Sequence, residues 1–177
     1  MKIVGIVGII DLGLRGNRLW CNMRDALARE FPNTEFALER RFYLPWQAQK
    51  MRAFADSIVA KHDTGEELIL LGYSLGGIIA CAIAPRFVRS NVRLIATVGT
   101  PHQLAFLRRM LAPTGAPYAT PDITFSGVLD PVVLWFLTDV PGSKRVSLLS
   151  DHLLCFLLSS RPAAAVARGM RSFLEAK

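Results

Sequence analysis

The sequence predicts a single α/β domain over 1–177, a three-layer α/β/α sandwich on a mostly parallel sheet of about six strands. Two patterns and one junction carry that expectation. Short apolar runs alternate along the chain with longer stretches whose apolar residues recur at helical spacing. Most of those runs are continuously apolar, as in strands covered on both faces. In mid-chain, the run Leu68-Ile-Leu-Leu71 passes through Gly72-Tyr-Ser-Leu-Gly76 directly into the apolar stretch ending at Ala84.

Each element follows in turn. Lys2 to Gly8 reads as a buried strand, and Ile9 to Asn17 as a glycine-containing loop. From Arg18 to Phe31, the spacing of Leu19, Met23, Ala26, Leu27 and Phe31 predicts a helix stopped by Pro32-Asn33. Thr34 to Arg40 alternates Phe36 and Leu38 with Glu35 and Glu39, a strand near an edge. Pro45 opens a helix to His62, with Trp46, Met51, Phe54, Ala55 and Ile58 on one face. Thr64-Gly65-Glu66 turns into the strand at 67–71, and the helix after it is stopped by Pro85.

Val92 to Val98 is the next strand, left by Gly99-Thr-Pro-His102, with a short helix over 103–111. The Pro-, Gly- and Thr-rich stretch 112–121 is a loop. Strands follow at 123–126 and 143–149, with a helical turn at 132–137 between them and helices at 151–159 and 162–175. No internal repeat, low-complexity tract or linker interrupts the chain.

Composition narrows the class. Hydrophobic residues make up 51% of the 177, enough for one substantial core. The longest candidate membrane segment, Val128 to Leu137, is too short and contains Asp130 and Pro131. Met1 to Ile10 has the outline of a signal peptide, but no small-x-small cleavage site follows it. Cys21, Cys81 and Cys155 are odd in number and fit no metal motif, so buried free thiols and a cytoplasmic setting are expected. The net charge of +7 comes from scattered residues, with only Arg40-Arg41 and Arg108-Arg109 adjacent. That pattern excludes a nucleic-acid interface and allows at most weak contact with anionic membrane surfaces. Neither a phosphate-binding loop nor a dinucleotide fingerprint is present, so no cofactor and no metal are expected.

Chemistry concentrates at the mid-chain turn. Gly72-Tyr-Ser-Leu-Gly76 matches the spacing of a nucleophile elbow. A strand turning at once into a helix crowds the flanking positions, so only glycine fits, and it lifts the Ser74 hydroxyl above a helix N-terminus. Parallel α/β sheets place ligands at the carboxyl ends of their strands. Three positions there carry hydrolytic side chains in chain order: Ser74, Asp130 and His152. Serine needs a base to take its proton, and the base needs a carboxylate to orient it.

With those residues assembled, the chain resembles a compact α/β-hydrolase of the lipase and esterase kind. The resemblance rests on Gly72-Tyr-Ser-Leu-Gly-Gly77, Gly99-Thr-Pro-His102, Gly127-Val-Leu-Asp-Pro-Val132 and Asp151-His-Leu-Leu154, and so spans nearly the whole chain. It implies Ser74 as nucleophile, His152 as general base and acid, and Asp130 as the orienting acid. It also implies an oxyanion hole formed by the N–H of Leu75 and of Ile9 or Ile10, where Gly8-Ile-Ile10 replaces the His-Gly of many members. With only 103–122 between mid-sheet and acid, no cap domain is expected. Ile9, Ile10, Leu75, His102, Leu104 and Val132 are the expected substrate contacts, suited to the acyl or alkyl group of a small-molecule or lipid ester. A thioesterase or acyltransferase would use the same triad, and a non-catalytic scaffold is the third reading. His102 reads as a rim or structural residue, His62 as a solvated helix end, Asp151 as a helix cap, Asp139 as a weaker acid and Tyr73 as packing. Oligomeric state is not legible.

Overall fold

The computed structural model describes residues 1–7, 14–41, 47–111, 117–130, 132–149 and 159–177, with the backbone alone at 14–19 and at 135. Six strands form one sheet: β1 (Lys2–Val7), β2 (Glu35–Glu39), β3 (Glu67–Tyr73), β4 (Asn91–Val98), β5 (Ile123–Gly127) and β6 (Lys144–Leu148). Their order is β2-β1-β3-β4-β5-β6, and every neighbouring pair is parallel. The helices are α1 (Leu14–Glu30), α2 (Ala48–His62), α3 (Leu75–Ile83), α4 (Ala105–Leu111) and α5 (Arg161–Glu175).

The strands are continuously apolar because both faces of the sheet are covered. Ile3, Ile69, Leu71, Leu94 and Phe125 point to the face under α1 and α5. Val4, Ile6, Leu68, Leu70 and Ile95 alternate with them and point to the face under α2, α3 and α4. Right-handed crossovers explain the split. The chain steps from β1 to β2 in one direction, which sends α1 to one face. All later steps run the other way, which sends α2, α3 and α4 to the opposite face.

The structure adjusts several expectations. Helix α1 begins four residues earlier than the apolar spacing indicates. Pro85 does not end the helical course at once, but sits in a single 3-10 turn, Ala84–Arg86. Helix α2 starts at Ala48 after an N-cap at Gln47, while Pro45 and Trp46 lie outside the described residues. So do 112–116 of the expected loop and 150–158, which include Asp151 and Cys155. Strand β2 is an edge strand, as its alternation indicates.

Two expectations about burial are overturned. Cys21 is exposed, because it falls on the outer side of α1, whereas Cys81 is fully buried in α3. His62 is not solvated: it is 1% exposed, with Nε2 2.8 Å from Oε1 of Glu39 at the end of β2. The same oxygen accepts from Lys61 Nζ at 2.7 Å. Burial pushes the Glu39 carboxyl upward, but these two donors outweigh it and hold the group below its ordinary value. The adjoining Asp63 accepts the N–H groups of Val88, Arg89 and Ser90, tying the end of α2 to the chain entering β4.

Candidate active site

Strand order fixes where a ligand can sit. The chain leaves β1 toward β2, and the strand on the other side of β1 is β3, so the sheet reverses direction between β1 and β3. The crevice outside the carboxyl ends of such a pair is the usual ligand site of an open α/β sheet. Val7, the last residue of β1, is in register with Tyr73, the last of β3, and Ser74 follows directly. The nucleophile candidate therefore stands at the mouth of that crevice.

Ser74 has φ 55° and ψ −128°, and among the described residues it alone, glycines aside, has a positive φ. A side chain held there costs about 1–3 kcal/mol. Neighbouring contacts hold it in place. The Ser74 N–H donates to the Val98 carbonyl at 2.8 Å, and its own carbonyl accepts the Gly77 N–H at 3.0 Å. Leu75 opens α3, so its N–H has no carbonyl four residues back within the helix. The Leu75 side chain is buried at 2% exposure.

The glycines are needed for reasons only partly legible in the motif. A Cβ on Gly72 would strike the backbone of Gly77. One on Gly76 would strike the carbonyl of Ile6 in β1, so α3 begins pressed against the neighbouring strand. One on Gly77 would strike the side chain of Thr100, which is fully buried. Crowding therefore runs between strands and across the next turn rather than within the five-residue motif alone. Gly77 and Thr100 were not singled out for this role by sequence reasoning; the Gly-Gly doublet was the available signal.

Asp130 follows β5 and is 5% exposed. Its Oδ1 accepts the N–H of Val132 at 2.9 Å and of Val133 at 2.8 Å. Two N–H groups converging on one oxygen fix the orientation of the carboxyl group. Strands β3 and β5 are separated by β4, so Ser74 and Asp130 stand on anchors about 10 Å apart. No direct contact spans that distance, but an imidazole placed between the two could bridge it. His152 lies outside the described residues, as do Ile9 and Ile10.

His102 lies beneath the surface at the carboxyl end of β4. It is 3% exposed, and Nε2 is 3.0 Å from Thr97 Oγ1. Thr97 in turn donates to Thr124 Oγ1 at 3.4 Å, which is 2.9 Å from Ser143 Oγ. Burial drives the imidazole down to about 4, and the Arg108 charge acts in the same sense. His102 is thus held neutral and buried at the end of β4. Leu104 is half-buried against α3 and α4, Val132 is exposed beside Asp130, and Asp139 is exposed. Tyr73 packs edge-on against Trp20 with ring centres 6.3 Å apart, as packing residues do. Among the described residues no three His, Cys, Asp or Glu side chains come together as a metal ion would require. Nor is any described helix long and apolar enough to cross a membrane.

Comparisons with known proteins agree with this architecture. No family model matches the chain, and no curated protein sequence matches it. Solved structures do. An esterase domain from Rhodothermus marinus aligns with TM-score 0.60 at 20% identity, over 99% of this chain and 86% of that one. An α/β hydrolase from the sediment metagenome of the Mar Chica lagoon, Morocco, aligns with TM-score 0.68 at 16% identity, over 99% and 91%. A pyrethroid hydrolase from Sphingobium faniae aligns with TM-score 0.59 at 16% identity, over 99% and 98%. At these identities the likeness is one of fold, and the fold is that of a minimal α/β hydrolase.

Proposed function

We propose that this chain is a serine hydrolase that cleaves carboxylic esters through an acyl-enzyme. The observation that supports it best is the strained Ser74 at the sheet's switch point, raised over the start of α3. Ser74 attacks the ester carbonyl, and His152 takes its proton and returns it to the leaving alcohol. Asp130, clamped by two N–H groups, holds His152 in the productive tautomer. The N–H of Leu75, with that of Ile9 or Ile10, receives the oxyanion, each donor contributing about 3 kcal/mol. Water then attacks the acyl-enzyme by the reverse proton path. The apolar side chains of Ile9, Ile10, Leu104 and Val132 suit an acyl or alkyl group.

The test is hydrolysis of short p-nitrophenyl esters by the parent and by Ser74→Ala, together with labelling by a fluorophosphonate. Turnover and labelling by the parent, both abolished in Ser74→Ala, are expected. Undiminished hydrolysis by the variant would remove Ser74 from the mechanism.

A further inference from the structure

Among the described residues nine large apolar side chains are exposed; Met1, Val88 and Phe106 stand apart, but the other six, Val128, Leu129, Val132, Leu134, Phe136 and Leu149, lie between the end of β5 and the residue after β6, on either side of Asp130. Leu149 is the barest of these six, 82% exposed. The two strand ends adjoin: Gly127 is in register with Leu148, and the Val128 N–H donates to the Leu148 carbonyl at 3.0 Å. Apolar side chains therefore continue across the carboxyl edge of the sheet beside the candidate active site.

This rim runs into a groove of about 690 Å³ between β6 and α5. Leu148, Leu149 and Pro162 give it apolar walls, and Arg161 and Arg168 stand over it. The two arginines are exposed and seven residues apart, hence on one face of α5. Among the described residues no acid lines the groove, and neither guanidinium is engaged in an ion pair. Elsewhere Arg86, Arg93 and Arg171 are each paired with an acid. An apolar ridge flanked by unneutralised cations complements a surface that is apolar inside and anionic outside.

We propose that the β5–β6 edge docks on an anionic lipid bilayer, Leu149 and Val128 entering the interface while Arg161 and Arg168 meet lipid phosphates. The proposal rests on the ester-hydrolase reading for its consequence: docking would present lipid esters to Ser74. The contact itself requires no turnover.

Binding is therefore measured on Ser74→Ala protein by co-sedimentation with vesicles of phosphatidylcholine alone and of phosphatidylcholine mixed with phosphatidylglycerol. Sedimentation with the mixed vesicles only, released by added salt, is expected. Replacing Arg161→Gln and Arg168→Gln together should lower partitioning roughly 30-fold. Leu149→Asp should lower it as well, and circular dichroism should show all variants folded. Equal partitioning to neutral vesicles, no partitioning, or partitioning indifferent to these substitutions would overturn the proposal. So would a lipid-independent dimer that Leu149→Asp dissociates, since a second copy would then cover the rim. Vesicle binding without any ester hydrolysis by the parent would sink the ester reading and leave the docking surface standing.

Discussion

The imidazole of His102 and the hydroxyl of Thr97 lie 3.0 Å apart at the end of β4, one residue before the carbonyl that anchors Ser74. The Nε2–H tautomer donates to Thr97, which is then free to donate onward to Thr124. Protonating the ring adds a charge in a site 3% exposed, near the Arg108 charge.

Acid should therefore weaken the fold through His102. Its folded value of about 4 lies below the ordinary 6.5, so the unfolded chain binds the extra proton first. The stability due to neutral His102 is complete above pH 6.5 and is lost as pH falls through 4. The total loss is up to about 3 kcal/mol. Urea melts at stepped pH, compared with a His102→Gln variant, should show a steeper decline in the parent between those limits. Parallel curves would remove His102 as the cause.

Ser74→Gly should separate stability from activity. Glycine relieves the positive φ, while its greater freedom in the unfolded chain takes back part of the gain, for a net of about 1 kcal/mol. Thermal melts should shift upward while ester hydrolysis disappears. A lower melting temperature would show that the hydroxyl itself contributes to the fold.

Gly76→Ala should be the harshest single-methyl substitution in the elbow. The added carbon meets the Ile6 carbonyl, which is backbone and cannot rotate away. A loss of at least about 3 kcal/mol, or failure to fold, is expected in denaturant melts. Gly65→Ala is the control, since nothing lies near its Cβ and only its φ of 93° is strained.

Asp130→Asn keeps the shape of the acid loop but removes the charge that, in the proposed mechanism, steadies the imidazole of His152. The expected fall in kcat is about three to four orders of magnitude, with an unchanged melting temperature. A fall of less than tenfold would point to another acid, with Asp139 next to be tested.

Thiol accessibility checks the burial pattern directly. In a Cys155→Ser background, a disulfide reagent at neutral pH should titrate Cys21 in the folded protein and Cys81 only after denaturation. Cys21 is exposed, whereas burial pushes the Cys81 thiol up to about 12.

Sequence carried the sheet well because strands covered on both faces have to be apolar throughout. Lys2 to Val7, Leu68 to Leu71 and Leu94 to Val98 declared themselves for that reason. Contacts between distant segments were less legible. Nothing local to His62 indicates that Glu39, twenty-three residues earlier, buries it. The demand on Gly77 comes from Thr100, across the β4 turn, and the motif's own spacing does not contain it. The positions of Ser74 and Asp130 were legible because the ends of buried parallel strands can be read from the apolar runs that precede them.

Helix α5 follows every strand in the chain, yet Ala163, Val166, Ala167 and Met170 complete the core beneath α1, and the Arg171 side chain donates to the Glu30 carbonyl at 2.6 Å. During translation, the part of that face over β4, β5 and β6 therefore stays bare until about residue 170 has left the ribosome. Pairing across 141 positions also gives the chain many long-range contacts, which slow folding. Nascent chains stalled before Arg161 should accordingly be bound by chaperones and cut readily by proteases.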